Sequence, residues 1–302
     1  MKPLISVCLA TYNPREDYLQ RTLEGVRKQT LLHEQWEFLL IDNNSQPPLE
    51  GRVNLAGLPR TRIVVEKEQG LSHARRRAFQ EAAGDLILNL DDDAVLSPDY
   101  LEKTSSLSKK YPFIGVFGSQ MTAEFEEKPK RKASEYYAAE RLVEEDIWSN
   151  DREHISSTPW GAGSVVRKVV ADAYVKKMEE DPRWGALGRA AEKLLSCEDI
   201  EIAMTACDLG LGKGVFRDLI FIHLIPSTKM TEEFLCRNAF GNGYSFTLHN
   251  WLRFGRIPRR ASLFGRINRI YRLLRMSPHT RRQEHFKDKG IHQAIAEINK
   301  IE

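Results

Sequence analysis

The sequence predicts an α/β fold in which a mostly parallel central sheet is flanked by helices and followed by a helical extension. Short apolar runs alternate with polar helical stretches through the first half of the chain. Continuous apolar strands separated by helices are typical of parallel sheets that are covered on both faces. Such sheets bind ligands at the carboxyl ends of their strands. Polar clusters follow three of the predicted strands, at residues 11–13, 42–45 and 91–93.

The first half of the chain contains four runs rich in Leu and β-branched residues, and each run predicts a strand. These strands cover residues 5–11, 36–43, 62–68 and 85–93. The residues between them follow a helical pattern at 17–29 and 72–83.

The second half is less regular. The apolar runs at 113–121 and 215–225 predict strands, and helices are expected at 167–180 and 198–209. The segment 124–154 is highly charged and weakly patterned, and we expect it to form an excursion or lid.

Composition indicates a folded protein, because 41% of the 302 residues are hydrophobic and 29% are charged. No apolar run approaches the roughly 20 residues that span a bilayer. The start Met-Lys-Pro lacks the apolar region of a signal peptide. The four cysteines form no CxxC pair, so we expect reduced, mostly buried thiols in a cytoplasmic protein.

Charge is distributed unevenly along the chain. Residues 251–302 contain 13 Lys and Arg against 4 Asp and Glu, which leaves the preceding residues net acidic. We therefore expect a catalytic domain at 1–228 and a helical basic extension at 229–302. Within 256–275 an apolar helical stripe accompanies seven arginines, as in helices that lie on anionic membranes at the inner face of the cell. The alternative is a helix packed on the domain with its basic face in water.

Three consecutive carboxylates, Asp91-Asp92-Asp93, end an apolar strand. Because such charges repel each other unless a cation or hydrogen-bond donors compensate them, the cluster favours a metal site. Asp91 and Asp93 can share one side of the chain with Asp92 facing away, and paired carboxylates suit Mg²⁺ or Mn²⁺ together with substrate phosphates. The alternative is an N-terminal cap of the following helix.

Five segments, in this order and spacing, resemble the family-2 glycosyltransferases, which are inverting enzymes with the GT-A nucleotide-sugar fold. The resemblance extends over about residues 4–225. The matching segments are ISVCLATYN, LLIDNNS, GLSHARRRAFQEAAGDLILNLDDDAVLSPDYLE, WGAG and CEDIEIAMTACDLGLG.

The resemblance implies a nucleotide pocket lined by Thr11 and Tyr12. Asp42 would accept a hydrogen bond from the base, as a uracil N–H requires, which favours UDP. Arg75 matches a family position near the nucleotide phosphates. Arg76 stands where the family often has Asn, so the sequence leaves open which of its three neighbouring arginines points inward.

The resemblance also implies roles for the acidic cluster. Asp91 would contact the ribose and Asp93 a metal-bound diphosphate, and Asp92 belongs to the same nucleotide-binding turn. His223 ends an apolar strand and could complete a Mn²⁺ or Mg²⁺ site, or it could be an ordinary core histidine.

The family's catalytic base lies in an acid pair that opens a helix, and Glu198-Asp199 matches this pair. Asp199 would be the base, with Glu198 holding its position or touching the acceptor. The segment Gly161-Ala162-Gly163 resembles the family's small-residue turn beneath the donor sugar, and Trp160 directly precedes it. Trp160 could offer a platform for a sugar ring or serve as a core anchor.

The function implied is metal-dependent, inverting transfer from a nucleoside-diphosphate sugar to a glycan or lipid-linked acceptor, as in bacterial surface-polysaccharide assembly. Nucleic acid is not an expected partner, because no recognised motif accompanies the basic charge. One alternative is a haloacid-dehalogenase-like phosphatase that uses Asp91 as its nucleophile. Another is a nucleotide-binding module that has lost turnover.

Overall fold

The computed structural model describes residues 2–136, 138–189, 194–258 and 263–301. The strands are β1 (Ile5–Thr11), β2 (Trp36–Asp42), β3 (Arg62–Val65), β4 (Leu86–Asp91), β5 (Ala94–Leu96), β6 (Ile114–Phe125), β7 (Ile147–Ser149), β8 (Val165–Arg167) and β9 (Gly212–Ile225). The helices are α1 (Glu16–Arg27), α2 (Leu71–Glu81), α3 (Tyr100–Lys110), α4 (Lys168–Glu180), α5 (Glu198–Asp208), α6 (Glu232–Phe254), α7 (Leu263–Arg275) and α8 (Pro278–Ile301).

The chain divides into two compact units. The first comprises Met1–Ala186 and Glu198–Pro226, and the second comprises Leu187–Cys197 and Ser227–Glu302. The segment 187–197 therefore clusters with the helical extension, although the prediction kept it within residues 1–228.

The first unit is built on a sheet with the strand order β3-β2-β1-β4-β8-β6-β9-β5, and β7 pairs with β9. The pairs among β3, β2, β1 and β4 are all parallel. Strand β8 runs antiparallel to both β4 and β6, whereas β6 and β9 are parallel. The predicted α/β fold is thus confirmed, with its parallel pairs concentrated in the N-terminal half.

The predicted polar clusters meet at one edge of this sheet. Strand β1 lies between β2 and β4, so the direction of strand addition reverses there. Thr11 is in register with Asp42, and Ala10 is in register with Asp91. The carboxyl ends of the three strands therefore form the crevice in which α/β sheets bind ligands.

Both faces of the parallel half are covered. Alternate residues of β1 and β2, such as Val7 and Phe38, belong to a core with Leu23 of α1 and Leu101 of α3. The intervening residues face the opposite side of the sheet, which helix α2 covers. Continuous burial along β1, β2 and β4 explains why these strands read as uninterrupted apolar runs.

The structure departs from the prediction at three short strands. Residues 147–149 form β7 beside β9, within the segment 124–154 predicted to be an excursion or lid, and residues 165–167 form β8 directly before α4. Residues 94–96 form β5, also beside β9. The three aspartates consequently lie in a tight turn from β4 into β5, and α3 begins only at Tyr100. The alternative that they cap this helix is wrong.

The second unit is helical, as the sequence predicts. Helix α6 begins with a side-chain cap from Thr231, whose hydroxyl accepts a hydrogen bond from the N–H of Phe234, and ends at the left-handed Gly255. Helices α6 and α8 approach closely, because a Cβ at Gly243 would overlap the backbone oxygen of Lys287. In the part of the chain that the structure describes, no helix is long and apolar enough to cross a bilayer. The four cysteines are buried thiols.

Candidate active site

The side chains of the acidic turn point to three different partners. The Oδ1 atom of Asp91 lies 3.5 Å from Nη2 of Arg75. Asp92 accepts a hydrogen bond from the hydroxyl of Thr11. The turn therefore spreads its three charges apart, which relieves the repulsion that the sequence creates. Thr11 is buried, so this bond holds the turn against the end of β1, and the predicted contacts of Thr11 and Asp92 with a nucleotide stay predictions.

The third carboxylate, that of Asp93, faces His223. Its Oδ2 atom lies 3.5 Å from Nε2 of the imidazole, and the neighbouring Ala94 is in register with His223 across β5 and β9. The Nδ1 atom of His223 lies 3.0 Å from the carbonyl oxygen of Ala138. A carbonyl can only accept, so in the neutral ring Nδ1 carries the hydrogen and Nε2 presents its lone pair toward Asp93.

This pair fits a divalent metal. One carboxylate oxygen and one imidazole nitrogen suit Mn²⁺, and Mg²⁺ also binds through few protein ligands plus substrate phosphates. Among the described residues no group of three or more His, Cys, Asp and Glu side chains could hold a metal ion. Further ligands would have to be phosphate oxygens and water.

Arg75 is buried between the acidic turn and the acid pair of α5. Its residue is only 2% exposed. Its Nη1 atom donates a 2.6 Å hydrogen bond to Oε1 of Glu198, and its Nη2 atom faces Asp91. Arg75 therefore joins the acidic turn to α5, and its predicted contact with a nucleotide phosphate stays a prediction.

The electrostatics of Arg75 follow from these partners. Burial acts to lower its pKa, but the charges of Glu198 and Asp91 outweigh this effect, so the pKa is raised above its ordinary value. The structure also answers which of the three arginines points inward. Arg76 pairs with Glu68, and Arg77 pairs with Glu81 on the outer face of α2.

Asp199 is held at the first turn of α5 by two backbone donors. Its Oδ1 atom accepts a 2.8 Å bond from the N–H of Ile200, and its Oδ2 atom accepts a 3.0 Å bond from the N–H of Gly161. Each carboxylate oxygen can accept a second hydrogen bond, and the residue is only partly buried. Asp199 is therefore fixed in orientation while it keeps acceptor sites for another group.

The turn at 160–163 contacts both Asp199 and Arg75. An added Cβ at Gly161 would lie 2.8 Å from the guanidinium carbon of Arg75 and closer still to its nitrogens. The sequence predicts a collision with the donor sugar here, but the structure shows that Arg75 itself excludes a side chain. Ala162 packs against the core, whereas Trp160 is 38% exposed and is therefore not a core anchor.

Arg141 is a neighbour of this turn that sequence reasoning missed. Its guanidinium lies 5.1 Å from the centre of the Trp160 ring. It donates hydrogen bonds to the backbone oxygens of Ser156 and Thr158. Burial lowers its pKa to about 10, and the charge of Asp199 acts in the opposite direction. No local pattern marks Arg141, because it lies in an irregular segment 19 positions before Trp160.

The ends of β1 and β2 are organised by buried polar side chains. Both oxygens of Asp42 accept backbone N–H groups, from Ser45 at 2.8 Å and Leu49 at 3.0 Å. Asp42 is only 1% exposed, so it shapes the following turn, and its contact with a base stays a prediction. Tyr12 is exposed beside it. Asn43, to which the sequence analysis assigned no role, accepts a bond from the N–H of Gly70 and ties this edge to the start of α2.

We expect Gly161→Ala to impair both folding and catalysis, because the added methyl group must displace Arg75. Overpacking of this kind lowers the free energy of unfolding by about 1–3 kcal/mol. Chemical denaturation and turnover would measure the effect. Gly57→Ala is the control, since its Cβ meets nothing within 4 Å and only its positive φ is strained. That variant should retain turnover, and wild-type turnover and stability in Gly161→Ala would contradict the proposed crowding.

The fold and the site together define a protein of the GT-A class. An acidic turn lies at the switch point of a mixed α/β sheet, and a buried arginine joins it to an acid pair that begins a helix. The chain belongs to glycosyl transferase family 2, whose family model matches residues 6–174. The family resemblance predicted from the sequence is confirmed.

Curated relatives share parts of the chain. An uncharacterised glycosyltransferase of Bacillus subtilis, YwdF, is 28% identical over 170 residues, which cover 56% of this chain and 59% of that protein. A putative teichuronic acid biosynthesis glycosyltransferase of the same organism, TuaG, is 33% identical over 34% of this chain and 40% of its own length. The chain spans between 11% and 59% of the length of the first curated relatives it matches.

Solved structures share the fold. S. aureus TarS 1–349 in complex with UDP-GlcNAc has a TM-score of 0.54 at 16% identity, over 97% of this chain and 81% of that one. The mannosyltransferase PcManGT of Pyrobaculum calidifontis, in complex with GDP-Man and Mn²⁺, has a TM-score of 0.54 at 15% identity. That match covers 98% of this chain and 76% of the other.

Proposed function

We propose that this protein is a metal-dependent, inverting glycosyltransferase that moves a sugar from a nucleoside diphosphate, with UDP favoured, to an acceptor hydroxyl. The observation that carries the proposal is the buried bridge from Asp91 through Arg75 to Glu198. It joins the turn suited to a metal–diphosphate group with the helix that presents Asp199. Donor and acceptor chemistry thereby share one crevice.

In this mechanism Asp199 is the general base. It takes the proton of the acceptor hydroxyl while the acceptor oxygen bonds to the anomeric carbon and the bond to the diphosphate breaks. A single base with no covalent intermediate leads to inversion at that carbon. The backbone N–H groups of Gly161 and Ile200 fix the carboxylate in place, which lowers the entropic cost of reaching the reactive geometry.

We propose Asp93 and His223 as the protein ligands of a Mn²⁺ or Mg²⁺ ion that would bind the leaving diphosphate. When bound, such an ion neutralises the charge that develops on the leaving group. We propose that Asp91 contacts two groups, namely the ribose that the family resemblance implies and the guanidinium of Arg75. Trp160, exposed beside Gly161, offers its ring to a sugar face.

The choice of UDP rests on Asp42. TarS binds UDP-GlcNAc and PcManGT binds GDP-Man in their crystals, so the shared fold does not select the base. We retain uracil because Asp42 ends β2 directly beside Thr11, at the position that the family resemblance associates with that base. Tyr12 is the exposed side chain on this edge and would cover the nucleotide.

For the acceptor we propose a glycan or a lipid-linked glycan, in keeping with the relative TuaG, whose name refers to teichuronic acid biosynthesis. We also propose a cytoplasmic enzyme with peripheral contact at the inner face of the membrane, on the strength of the basic apolar stretch 256–275.

The phosphatase alternative loses its support. A nucleophilic aspartate of that class ends the first strand of its core, whereas Asp91 ends β4, the fourth strand of this chain. Membership of glycosyl transferase family 2 also accounts for the acidic turn without it. The other alternative is a nucleotide-binding module without turnover. Our proposal differs from it because it predicts turnover that is lost when Asp199 is substituted.

Calorimetric titration of UDP, GDP and dTDP, each with Mn²⁺ and with EDTA, tests the donor assignment. We expect micromolar binding of UDP that weakens by about tenfold or more, roughly 1.4 kcal/mol, when the metal is removed. Asp93→Ala should abolish this metal dependence, because one of the two protein ligands is lost.

Asp85→Ala provides a matched control for this titration. Asp85 precedes the opposite end of β4, is exposed and pairs only with Lys2 among the residues described. Its substitution should leave metal-dependent binding unchanged. Undiminished Mn²⁺-dependent affinity in Asp93→Ala would refute the metal site, and absence of binding by all three nucleotides would refute the donor class.

A further inference from the structure

Helix α7 carries a row of large apolar side chains that is exposed along its whole length. Phe264, Ile267, Ile270, Tyr271 and Leu274 are each between 57% and 80% exposed. At 100° per residue these five positions fall within an arc of about 120°, the width of one helix face. Burial within a soluble fold does not explain this row, which we call the α7 apolar face.

The opposite side of α7 is the side that contacts the rest of the helical unit. Arg269 forms an ion pair with Asp288 of α8. Arg281 of α8 donates a 3.0 Å hydrogen bond from Nε to the backbone oxygen of Leu273, and so caps the end of α7. Packing within this unit therefore holds α7 by the side that carries Arg269 and Leu273, and it leaves most of the α7 apolar face outward. Ile270, at the edge of that face, also lines the cavity between α7 and α8.

Arginines border this face. Arg275 lies over the ring of Tyr271, 5.4 Å from its centre, and donates a 2.9 Å bond to its hydroxyl. Arg272 follows on the same flank and is well exposed. The predicted basic stretch 256–275 also includes 259–262, which lie outside the described residues. Over residues 251–302 the 13 basic side chains outnumber the 4 acidic ones.

We propose that the α7 apolar face is a membrane-binding surface that lies in the headgroup region of an anionic bilayer. Its five apolar side chains would enter the acyl boundary while the bordering arginines meet lipid phosphates. Charge selects this occupant over a second copy of the chain. Pairing two such faces would bring two arginine borders together, whereas anionic headgroups neutralise them.

This proposal is independent of the donor and acceptor assignments, because it uses no residue of the acidic turn or of α5. It adds a physical reason for a lipid-linked acceptor, since a bound α7 confines the enzyme to the surface where such an acceptor resides.

Cosedimentation of the full chain with vesicles tests the proposal directly. We expect binding to phosphatidylcholine vesicles that contain phosphatidylglycerol, much weaker binding to phosphatidylcholine alone, and loss of binding as NaCl increases. Ile267→Glu combined with Leu274→Glu should weaken binding by about tenfold or more, because both substitutions place charge on the inserted face. Ile155→Glu is the control, since Ile155 is even more exposed than Ile267 and Leu274 but lies in the first unit.

Three results would overturn the proposal. The first is that the protein does not sediment with anionic vesicles at low salt, and the second is that the double variant sediments as well as the wild type does. The third is that analytical ultracentrifugation detects a dimer of the wild type that the double variant does not form. The last result would identify a second copy as the occupant. Asp199→Asn should bind vesicles as wild type does, so a failure of the proposed activity leaves this measurement interpretable.

Discussion

Asp199→Asn is expected to reduce turnover by a factor of about 10²–10⁴, the usual contribution of a positioned general base. The amide has nearly the same shape as the carboxylate, and its oxygen can still accept the hydrogen bond from Gly161 or from Ile200. It cannot take up the proton of the acceptor. Nucleotide affinity should remain nearly unchanged, because Asp93 and His223 are untouched.

The measurement is release of the nucleoside diphosphate from the donor, with water or a glycan as the acceptor, alongside titration of the nucleotide. Asp208→Asn is the control, since Asp208 ends the same helix and pairs with Arg152 on the surface. Near-wild-type turnover in Asp199→Asn would eliminate Asp199 as the base. Equal loss of turnover and of nucleotide binding would indicate a structural role in place of a catalytic one.

The sequence predicts the parallel half of the fold well because these strands are buried on both sides. Most residues of β1, β2 and β4 are apolar, although each strand has one buried polar residue in its interior (Ser6, Glu37 and Asn89), and polar clusters follow where each strand ends. Strands β5, β7 and β8 are not predicted, because each has only three residues. Each forms through antiparallel pairing with a strand distant in sequence, so none has a hydrophobic period that can be recognised locally.

The candidate site shows the same division. Asp91, Asp93 and Asp199 can be found by their positions at strand and helix ends, but their cross-connections depend on tertiary structure. Arg75 did carry a readable signal, since it lies three and four residues before Ala78 and Phe79 on the buried face of α2. A charged residue on an apolar helix face indicates a buried ion pair. Its partner Glu198 is 123 positions away and could not be identified from spacing.

Arg75→Met should be among the most destabilising single substitutions in the protein. It leaves Glu198, which is only 5% exposed, without its 2.6 Å partner. Removing one member of a buried ion pair costs about 3–5 kcal/mol, because the remaining charge stays buried without the counter-charge of its arginine. Urea denaturation would measure the loss. We also expect turnover to fall, since Glu198 is adjacent to the proposed base.

A double-mutant cycle separates the ion pair from ordinary packing. Glu198→Gln combined with Arg75→Met removes both charges, so the double variant should be more stable than Arg75→Met alone, with a coupling energy of about 1–3 kcal/mol. Arg77→Met is the control on the same helix. Its partner Glu81 is on the surface, and such pairs contribute only about 0–1 kcal/mol. If Arg75→Met and Arg77→Met proved equally stable, the bridge could not be what joins the acidic turn to α5. If the double variant regained stability but not turnover, the charge of the bridge would be shown to serve catalysis as well as folding.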